Sequence, residues 1–199
     1  FFSGRIIFPI SNRHGQPVAF GGRILEGEGP KYLNTGDLPQ YKKGETLFAF
    51  SQALAQIRKE KTVIFCEGYM DVIAFHQAGI ENAVAPLGTA LTEDQVKLIH
   101  SFADTVLLAF DSDGAGKTAA YKAIKLCRSS GLQVRALPIT QGKDPADILL
   151  KGGAEGLTAL VKSAILDSDY LVQIAIEQFD ITGPEGKAKA AAFLFPYIE

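Results

Sequence analysis

The chain has 199 residues, 47% of them hydrophobic and 21% charged, a composition that excludes a disordered segment and is typical of a soluble globular protein with a sizeable core. With two cysteines and no apolar run long enough to cross a bilayer, we expect no disulfide framework, no membrane span and a cytoplasmic location. The net charge of −2 is unevenly distributed, since residues 1–62 hold nine Lys or Arg and five Asp or Glu, whereas residues 63–199 hold eleven and seventeen. A basic front beside an acidic remainder suits a nucleic-acid surface next to a metal site, although an ordinary solvated surface also explains it.

The first part of the chain predicts an irregular, mostly antiparallel region with basic residues spread through it. It is expected to contain three strands and one helix, at residues 5–10, 17–25, 31–34 and 50–60. Cationic side chains bind phosphates and aromatic faces stack on bases, and both kinds of residue alternate here. The same pattern fits an ordinary β surface over an aromatic core, so both interpretations stay open.

From Thr62 onward, strand patterns alternate with helix patterns, which predicts a parallel sheet covered by helices. The strands are expected at residues 62–66, 82–86, 105–110 and 132–138. The helices between and after them are expected at residues 70–78, 92–102, 115–129 and 145–150, and Thr92 is the N-cap candidate of the second. Helical patterns alone follow, at about residues 154–163, 167–179 and 184–199. We therefore expect three regions, at residues 1–61, 62–165 and 166–199, the last being the start of a helical subdomain.

Acidic side chains follow three of the predicted strands. Glu67 comes after the first strand, Asp111 and Asp113 after the third, and Asp144 after the fourth. Open α/β sheets bind their ligands at the carboxyl ends of the strands, and carboxylates gathered there suit hard cations such as Mg²⁺. Asp147 lies one helical turn beyond Asp144 and is expected to face the same cavity. The pattern predicts a metal-dependent phosphoryl- or nucleotidyl-transfer site, because metal ions can orient an attacking hydroxyl and neutralise the transferring group.

Each acid also has an ordinary structural explanation when it is taken singly. Asp144 is a plausible N-cap, Asp113 a plausible turn residue, and Asp71 a plausible first-turn acid of its helix. The placement of acids after three strands at once favours the functional interpretation. Residues 114–118, Gly-Ala-Gly-Lys-Thr, are not the end of a P-loop, because the position that requires its first glycine is Asp111.

Several motifs carry a resemblance to a known family. The segments that resemble the Toprim signature are Glu-Gly-Tyr-Met-Asp at 67–71, Asp-Ser-Asp-Gly at 111–114 and Lys-Asp-Pro at 143–145. The segments that resemble DnaG-type bacterial primases are Arg-Ile-Ile-Phe-Pro-Ile at 5–10, Phe-Gly-Gly-Arg at 20–23, Lys-Tyr-Leu-Asn at 31–34 and Ala-Pro-Leu-Gly-Thr-Ala-Leu-Thr at 85–92. The resemblance covers about the whole chain. It implies an α/β fold with a Toprim-type parallel sheet, preceded by the basic region as the C-terminal part of the N-terminal subdomain of a catalytic core.

The resemblance implies the synthesis of short RNA primers from NTPs on a single-stranded DNA template, with Mg²⁺ as cofactor and Mn²⁺ as a substitute. The implied catalytic residues are Glu67, Asp111 and Asp113. The implied metal ligands are Glu67, Asp111, Asp113, Asp144 and Asp147, with Asp71 as a supporting acid. The implied nucleic-acid and nucleotide contacts are Arg23, Lys31, Tyr32, Asn34 and Lys42 or Lys43. One departure concerns Asp147, because some family members carry their second acid at the position of Ala146.

Primases of this family also have a zinc-binding module at the N-terminus and a helicase-binding module at the C-terminus, and we expect both to lie outside this chain. Two other functions remain open. A Toprim nuclease or topoisomerase would use the same metal site to cleave DNA, with Tyr69 as the tyrosine beside the acids. A non-enzymatic nucleic-acid-binding module would use the basic front alone and would be insensitive to changes of the acids.

Overall fold

The structure, a computed structural model, describes residues 1–198 as two sheets with helices around the larger one. The smaller sheet is antiparallel and contains β1 (Arg5–Ser11), β2 (Pro17–Ile24) and β3 (Tyr32–Asn34), in that order. Asn12 closes the turn between the first two strands, because its Oδ1 accepts hydrogen bonds from the backbone N–H groups of His14 and Gln16. The predicted antiparallel front is thus present.

The larger sheet has five strands in the order β5-β4-β6-β7-β8. Their bounds are β4 (Thr62–Cys66), β5 (Ala83–Val84), β6 (Thr105–Ala109), β7 (Gln133–Ala136) and β8 (Ile165–Leu166). The first four strands in this order run parallel, and β8 pairs antiparallel with β7 at the edge. This sheet confirms the predicted α/β fold.

Within residues 1–198, seven α-helices surround or extend the larger sheet. They are α1 (Phe50–Glu60), α2 (Tyr69–Gln77), α3 (Glu93–His100), α4 (Gly114–Ser129), α5 (Pro145–Lys162), α6 (Asp167–Gln178) and α7 (Pro184–Ile198). A short 3-10 helix precedes them at Lys43–Glu45. None of the helices in residues 1–198 is both long and apolar enough to cross a membrane.

The core lies on both faces of the larger sheet. In β4, Val63 and Phe65 join the cluster that α1, α3, α4 and α6 cover, while Ile64 and Cys66 join the cluster beneath α2 and α5. Side chains alternate between the faces of a strand, so a strand buried on both faces must be apolar throughout. This explains why the central strands read as continuous hydrophobic runs.

The predicted break between the helices at residues 145–150 and 154–163 is confirmed. The range of α5 spans both segments, but Gly153 between them has a φ of 61° and a ψ of −163°, which are not helical. The edge strand β8 and the 3-10 helix were not predicted, because elements of two or three residues carry no readable periodicity. The prediction for residue 199 lies outside the described residues.

The proposed boundary near residue 166 falls within β8, which belongs to the larger sheet. Beyond it, Leu171 and Ile174 of α6 are buried in the same cluster as Val63 and Phe65. The core therefore continues past this position. The division into residues 1–61, 62–165 and 166–199 stays a prediction.

Candidate active site

Two acids follow neighbouring strands of the larger sheet and are linked by a hydrogen bond. Cys66 of β4 pairs with Ala109 of β6, which brings the segments that follow these strands side by side. Glu67 accepts a hydrogen bond at Oε1 from the backbone N–H of Asp111, at 2.8 Å. The carboxylate of one strand end therefore holds the backbone of the next.

The chain turns into α4 with very little free space beside these acids. Asp113 is the N-cap of α4, and its Oδ1 accepts a hydrogen bond from the backbone N–H of Gly116 at 2.8 Å. A Cβ at Gly116 would lie 2.2 Å from the carbonyl oxygen of Asp111 and 2.8 Å from Oε1 of Glu67. Glycine is therefore required at this position for the helix to approach the strand ends.

The third strand end contributes Asp144, which is the N-cap of α5. Its Oδ1 accepts a hydrogen bond from the backbone N–H of Asp147 at 2.7 Å. Asp147 in turn accepts at Oδ2 from the backbone N–H of Lys143, at 3.1 Å, and from Nζ of Lys151, at 2.8 Å. Both acids that were predicted after β7 thus accept hydrogen bonds at the start of α5.

Burial and the charges of neighbouring acids raise the pKa values of Glu67, Asp71 and Asp111. The pKa of Asp71, which is 8% exposed in the first turn of α2, rises to about 7 through burial first and the charges of Asp111 and Asp144 next. Burial, followed by the charges of Glu67 and Asp144, raises the pKa of Asp111 to about 6. Burial also raises the pKa of Glu67. These carboxylates therefore lie close enough to repel one another, and the lysines and arginines nearby do not fully offset this repulsion.

A cavity of about 690 Å³ opens over these strand ends. Nine of the residues that were predicted from the sequence line it: Arg23, Lys31, Tyr32, Asn34, Glu67, Asp71, Asp111, Asp144 and Asp147. The antiparallel sheet supplies its basic wall, and the larger sheet with α2 and α5 supplies its acidic walls. The structure thus brings most of the predicted site together around one space.

Three predicted residues do not line this cavity. Asp113 caps α4 as described above, and Lys42 lines a separate cavity of about 230 Å³. Lys43 starts the short 3-10 helix, where its N–H donates to Asp37 and its carbonyl oxygen accepts from Gln95. The roles predicted for these residues from the family resemblance stay predictions.

The basic wall is organised around Tyr32. The guanidinium carbon of Arg23 and Nζ of Lys31 each lie 5.8 Å from the centre of its ring. The positive charge of Lys31 also acts to lower the pKa of Asp111, which places this lysine within electrostatic reach of the acids. An aromatic face with two cations beside it is suited to stacking a base and binding phosphates.

Tyr69 and Asn34 join the two sheets at the rim of the cavity. Tyr69 stacks on Phe8, with their ring centroids 5.0 Å apart, and its hydroxyl donates to Oδ1 of Asn34 at 2.8 Å. Asn34 then donates from Nδ2 to the carbonyl oxygen of Leu87 at 2.9 Å. A Cβ at Gly21 would lie 2.6 Å from the Tyr69 hydroxyl, so β2 also packs directly on this tyrosine. The side-chain amide of Asn34 thus accepts one hydrogen bond and donates another within the protein.

Sequence reasoning missed two cations in the site. Lys143 and Lys151 line the same cavity as the acids. The signal for Lys151 was its position four residues after Asp147 on a helix, a spacing at which oppositely charged side chains meet. Lys143 precedes Asp144 directly, but the sequence does not say towards which side it points.

The donor chemistry of the site fits a hard cation. Its acids supply carboxylate oxygens, which Mg²⁺ and Mn²⁺ prefer. The pKa values of Asp71 and Asp111 are raised, so a cation bound between these carboxylates would stabilise their charged forms. Within residues 1–198, the side chains as placed bring no three His, Cys, Asp or Glu residues onto one point that could hold a metal. Glu67, Asp113 and Asp144 instead accept backbone hydrogen bonds.

The sequence matches two family models and is similar to known DNA primases. Residues 1–54 match the N-terminal domain of the DNA primase catalytic core, and residues 64–149 match the Toprim-like family. The chain is 50% identical over 197 residues to the DNA primase of Treponema pallidum, covering 99% of this chain and 33% of that protein. It is 46% identical over 178 residues to the DNA primase of Halalkalibacterium halodurans, covering 89% of this chain and 29% of that protein. The chain therefore spans about a third of the length of these relatives.

Solved structures are similar over almost the whole chain. The crystal structure of a DNA primase domain from Pseudomonas aeruginosa superposes with a TM-score of 0.85 at 36% identity, covering 97% of this chain and 61% of that one. The DnaG primase catalytic domain bound to ssDNA superposes with a TM-score of 0.82 at 33% identity, covering 97% and 63%. The predicted Toprim-type fold is confirmed by these similarities.

Proposed function

Because this chain belongs to the DnaG-type bacterial DNA primase family, we propose that it carries the catalytic centre of a DNA primase. The reaction is the template-directed joining of NTPs into short RNA primers on single-stranded DNA. The observation that carries the proposal is the cavity in which acids from three adjacent strand ends face the basic wall of Arg23, Lys31 and Tyr32. The binding of ssDNA by a similar DnaG catalytic domain supports the template part of the proposal.

We propose that the acids hold a divalent cation, Mg²⁺ or Mn²⁺. Glu67, Asp111, Asp113 and Asp144 are the residues that would hold it, with Asp71 as a supporting negative charge. When bound, such a cation neutralises charge on the transferring phosphoryl group and orients the attacking hydroxyl. The raised pKa values of Asp71 and Asp111 support this assignment, because a neighbouring cation favours the charged form of a carboxyl.

The other residues of the site bind and position. Arg23 and Lys31 contact phosphates of the template or the nucleotide, and the ring of Tyr32 offers a surface for a base. Glu67 fixes the backbone of Asp111 through the hydrogen bond at 2.8 Å. Asn34 acts from the rim, since its hydrogen bonds to Tyr69 and Leu87 keep the basic wall next to the acids.

The proposal extends to the setting in which a primase works. NTPs are the substrates, a replicative helicase is the partner, and the replication fork in the bacterial cytoplasm is the location. Zinc belongs to a separate N-terminal module of such proteins, and helicase binding to a C-terminal one. The chain spans about a third of its relatives, so these functions are assigned to the whole polypeptide.

The decisive experiment replaces Asp111 with Asn in the native polypeptide that carries this chain. The polypeptide is incubated with single-stranded circular DNA, labelled NTPs and Mg²⁺, and RNA products are separated by length. We expect short RNA from the unchanged protein and a loss of at least ~100-fold in the variant, since a charged metal ligand is removed. Asp94→Asn is the control, because this acid lies on the surface of α3 with 60% of its side chain exposed.

The outcomes separate the candidate functions. RNA synthesis that survives Asp111→Asn in a folded protein contradicts the assigned role of the acids. DNA cleavage without RNA synthesis would identify a Toprim nuclease, and DNA binding alone, unchanged by the substitution, would identify a binding module. A topoisomerase is not favoured, because the ring of Tyr69 is buried and its hydroxyl donates to Asn34.

A further inference from the structure

A second pair of cations lies on the wall of the cavity that α5 forms. Lys143 comes directly before the N-cap Asp144, and Lys151 lies in the second turn of the helix. Nζ of Lys151 is 2.8 Å from Oδ2 of Asp147, and 69% of the lysine side chain is exposed. We call this wall, formed by residues 143–151, the α5 wall.

The α5 wall differs in chemistry from the wall around Tyr32. Its cavity-lining residues include the aliphatic Ala146 and Leu150 beside the two lysines, whereas the other wall carries an aromatic ring flanked by cations. Single-stranded nucleic acid is bound by aromatic platforms combined with a track of cations. The α5 wall offers point charges beside the carboxylates, which suit a compact, highly charged anion.

Asp147 is already occupied by the residues of this wall. Its Oδ2 accepts from the backbone N–H of Lys143 and from Nζ of Lys151. The same carboxylate is therefore already paired with a lysine ammonium group and a backbone N–H. Both of these contacts come from residues of the α5 wall, so the geometry offers Asp147 as the partner of this wall's lysines.

We propose that Lys143 and Lys151 bind the polyphosphate chain of the incoming nucleotide, and that Asp147 is their counter-ion instead of a metal ligand. This proposal rests on the proposed nucleotidyl transfer, in which a polyphosphate must lie beside the acids at the strand ends. Exposed ion pairs of this kind are weak, so an arriving phosphate can displace the Asp147 carboxylate from Lys151. Each wall then binds a different ligand: the wall around Tyr32 binds the template, and the α5 wall binds the polyphosphate.

Calorimetric titration of the chain with inorganic tripolyphosphate, in excess Mg²⁺, tests this division without requiring catalysis. We expect Lys143→Met and Lys151→Met each to weaken binding roughly 10-fold, since each removes one charge-assisted contact. Lys162→Met is the matched control, because it makes the same change on the same helix but outside the cavity, and it should bind as the unchanged chain does.

Asp147→Asn separates a counter-ion from a metal ligand. A counter-ion competes with the anion, so its neutralisation should tighten tripolyphosphate binding, and weaker binding would identify Asp147 as a ligand of the metal. Unchanged binding in both lysine variants, or an unchanged chain that does not bind tripolyphosphate, overturns the proposal.

A single-stranded oligonucleotide without a triphosphate serves as the second probe. Its affinity should survive Lys151→Met, and an equal loss for both probes would make the α5 wall a template surface. RNA synthesis by the native polypeptide is measured in parallel. If the native polypeptide makes RNA but polyphosphate binding is unchanged in the lysine variants, only this proposal fails. If the unchanged polypeptide makes no RNA, the proposed function fails.

Discussion

Replacing Asp71 with Asn should make the metal-free chain more stable at alkaline pH. The carboxyl is 8% exposed, and burial together with the charges of Asp111 and Asp144 raises its pKa to about 7 from 3.8. In the unfolded chain the same group ionises near its ordinary value of about 3.9. Between these two pH values the folded protein therefore binds more protons than the unfolded chain, so its free energy of unfolding falls as the pH rises.

The size of the effect follows from the difference between the two pKa values. At about 1.36 kcal/mol for each pH unit, charging Asp71 costs the fold on the order of 4 kcal/mol, all of it developed once the pH exceeds about 7. More than half of this loss falls between about pH 5 and pH 8. Asn has nearly the same shape as Asp and carries no charge, so the substitution removes mainly the charge.

Urea unfolding in EDTA at a series of pH values, followed by circular dichroism, measures this dependence. The unchanged chain should lose stability from about pH 4 to pH 7, and Asp71→Asn should show a clearly shallower slope over the same interval. Asp94→Asn, at an exposed acid, is the control for the loss of one negative charge. Adding Mg²⁺ at about pH 8 should return stability to the unchanged chain more than to Asp71→Asn, because a bound cation offsets the repulsion.

Equal slopes for the unchanged chain and Asp71→Asn would refute the reasoning. That result would mean that the carboxyl ionises in the folded protein at no extra cost, and the electrostatic case for a cation at these strand ends would lose its main support. A variant that is less stable at every pH would instead point to a packing or hydrogen-bonding role for Asp71.

Three further substitutions test the framework of the site by urea unfolding. Gly116→Ala should cost roughly 2 kcal/mol or more, because its Cβ would lie 2.2 Å from the carbonyl oxygen of Asp111. Tyr69→Phe should cost about 1–2 kcal/mol, since it leaves the Oδ1 of Asn34 without its donor. Thr92→Ala should cost about 1 kcal/mol by removing the side-chain cap of α3. A change in the free energy of unfolding below about 0.5 kcal/mol would show that the contact in question does not stabilise the fold. RNA synthesis should fall with Gly116→Ala but not with Thr92→Ala.

The sequence by itself determined the fold class and the location of the acids. Continuous apolar runs such as residues 62–66 identify strands that are buried on both faces, and the helices between them require parallel pairing. The position of Glu67 after one such run and of Asp111 after another follows from the same pattern. These features are local, so their signals lie within a few residues of the chain.

Only the tertiary structure decided which side chains share the cavity. Lys151 joined the site and Lys42 did not, because the packing of α5 and of the 3-10 segment against the rest of the chain fixes where each side chain points. The need for glycine at 116 likewise comes from the carbonyl oxygen of Asp111 pressing on the first turn of α4. Directions and distances of this kind arise from contacts between residues far apart in the chain, and no local periodicity encodes them.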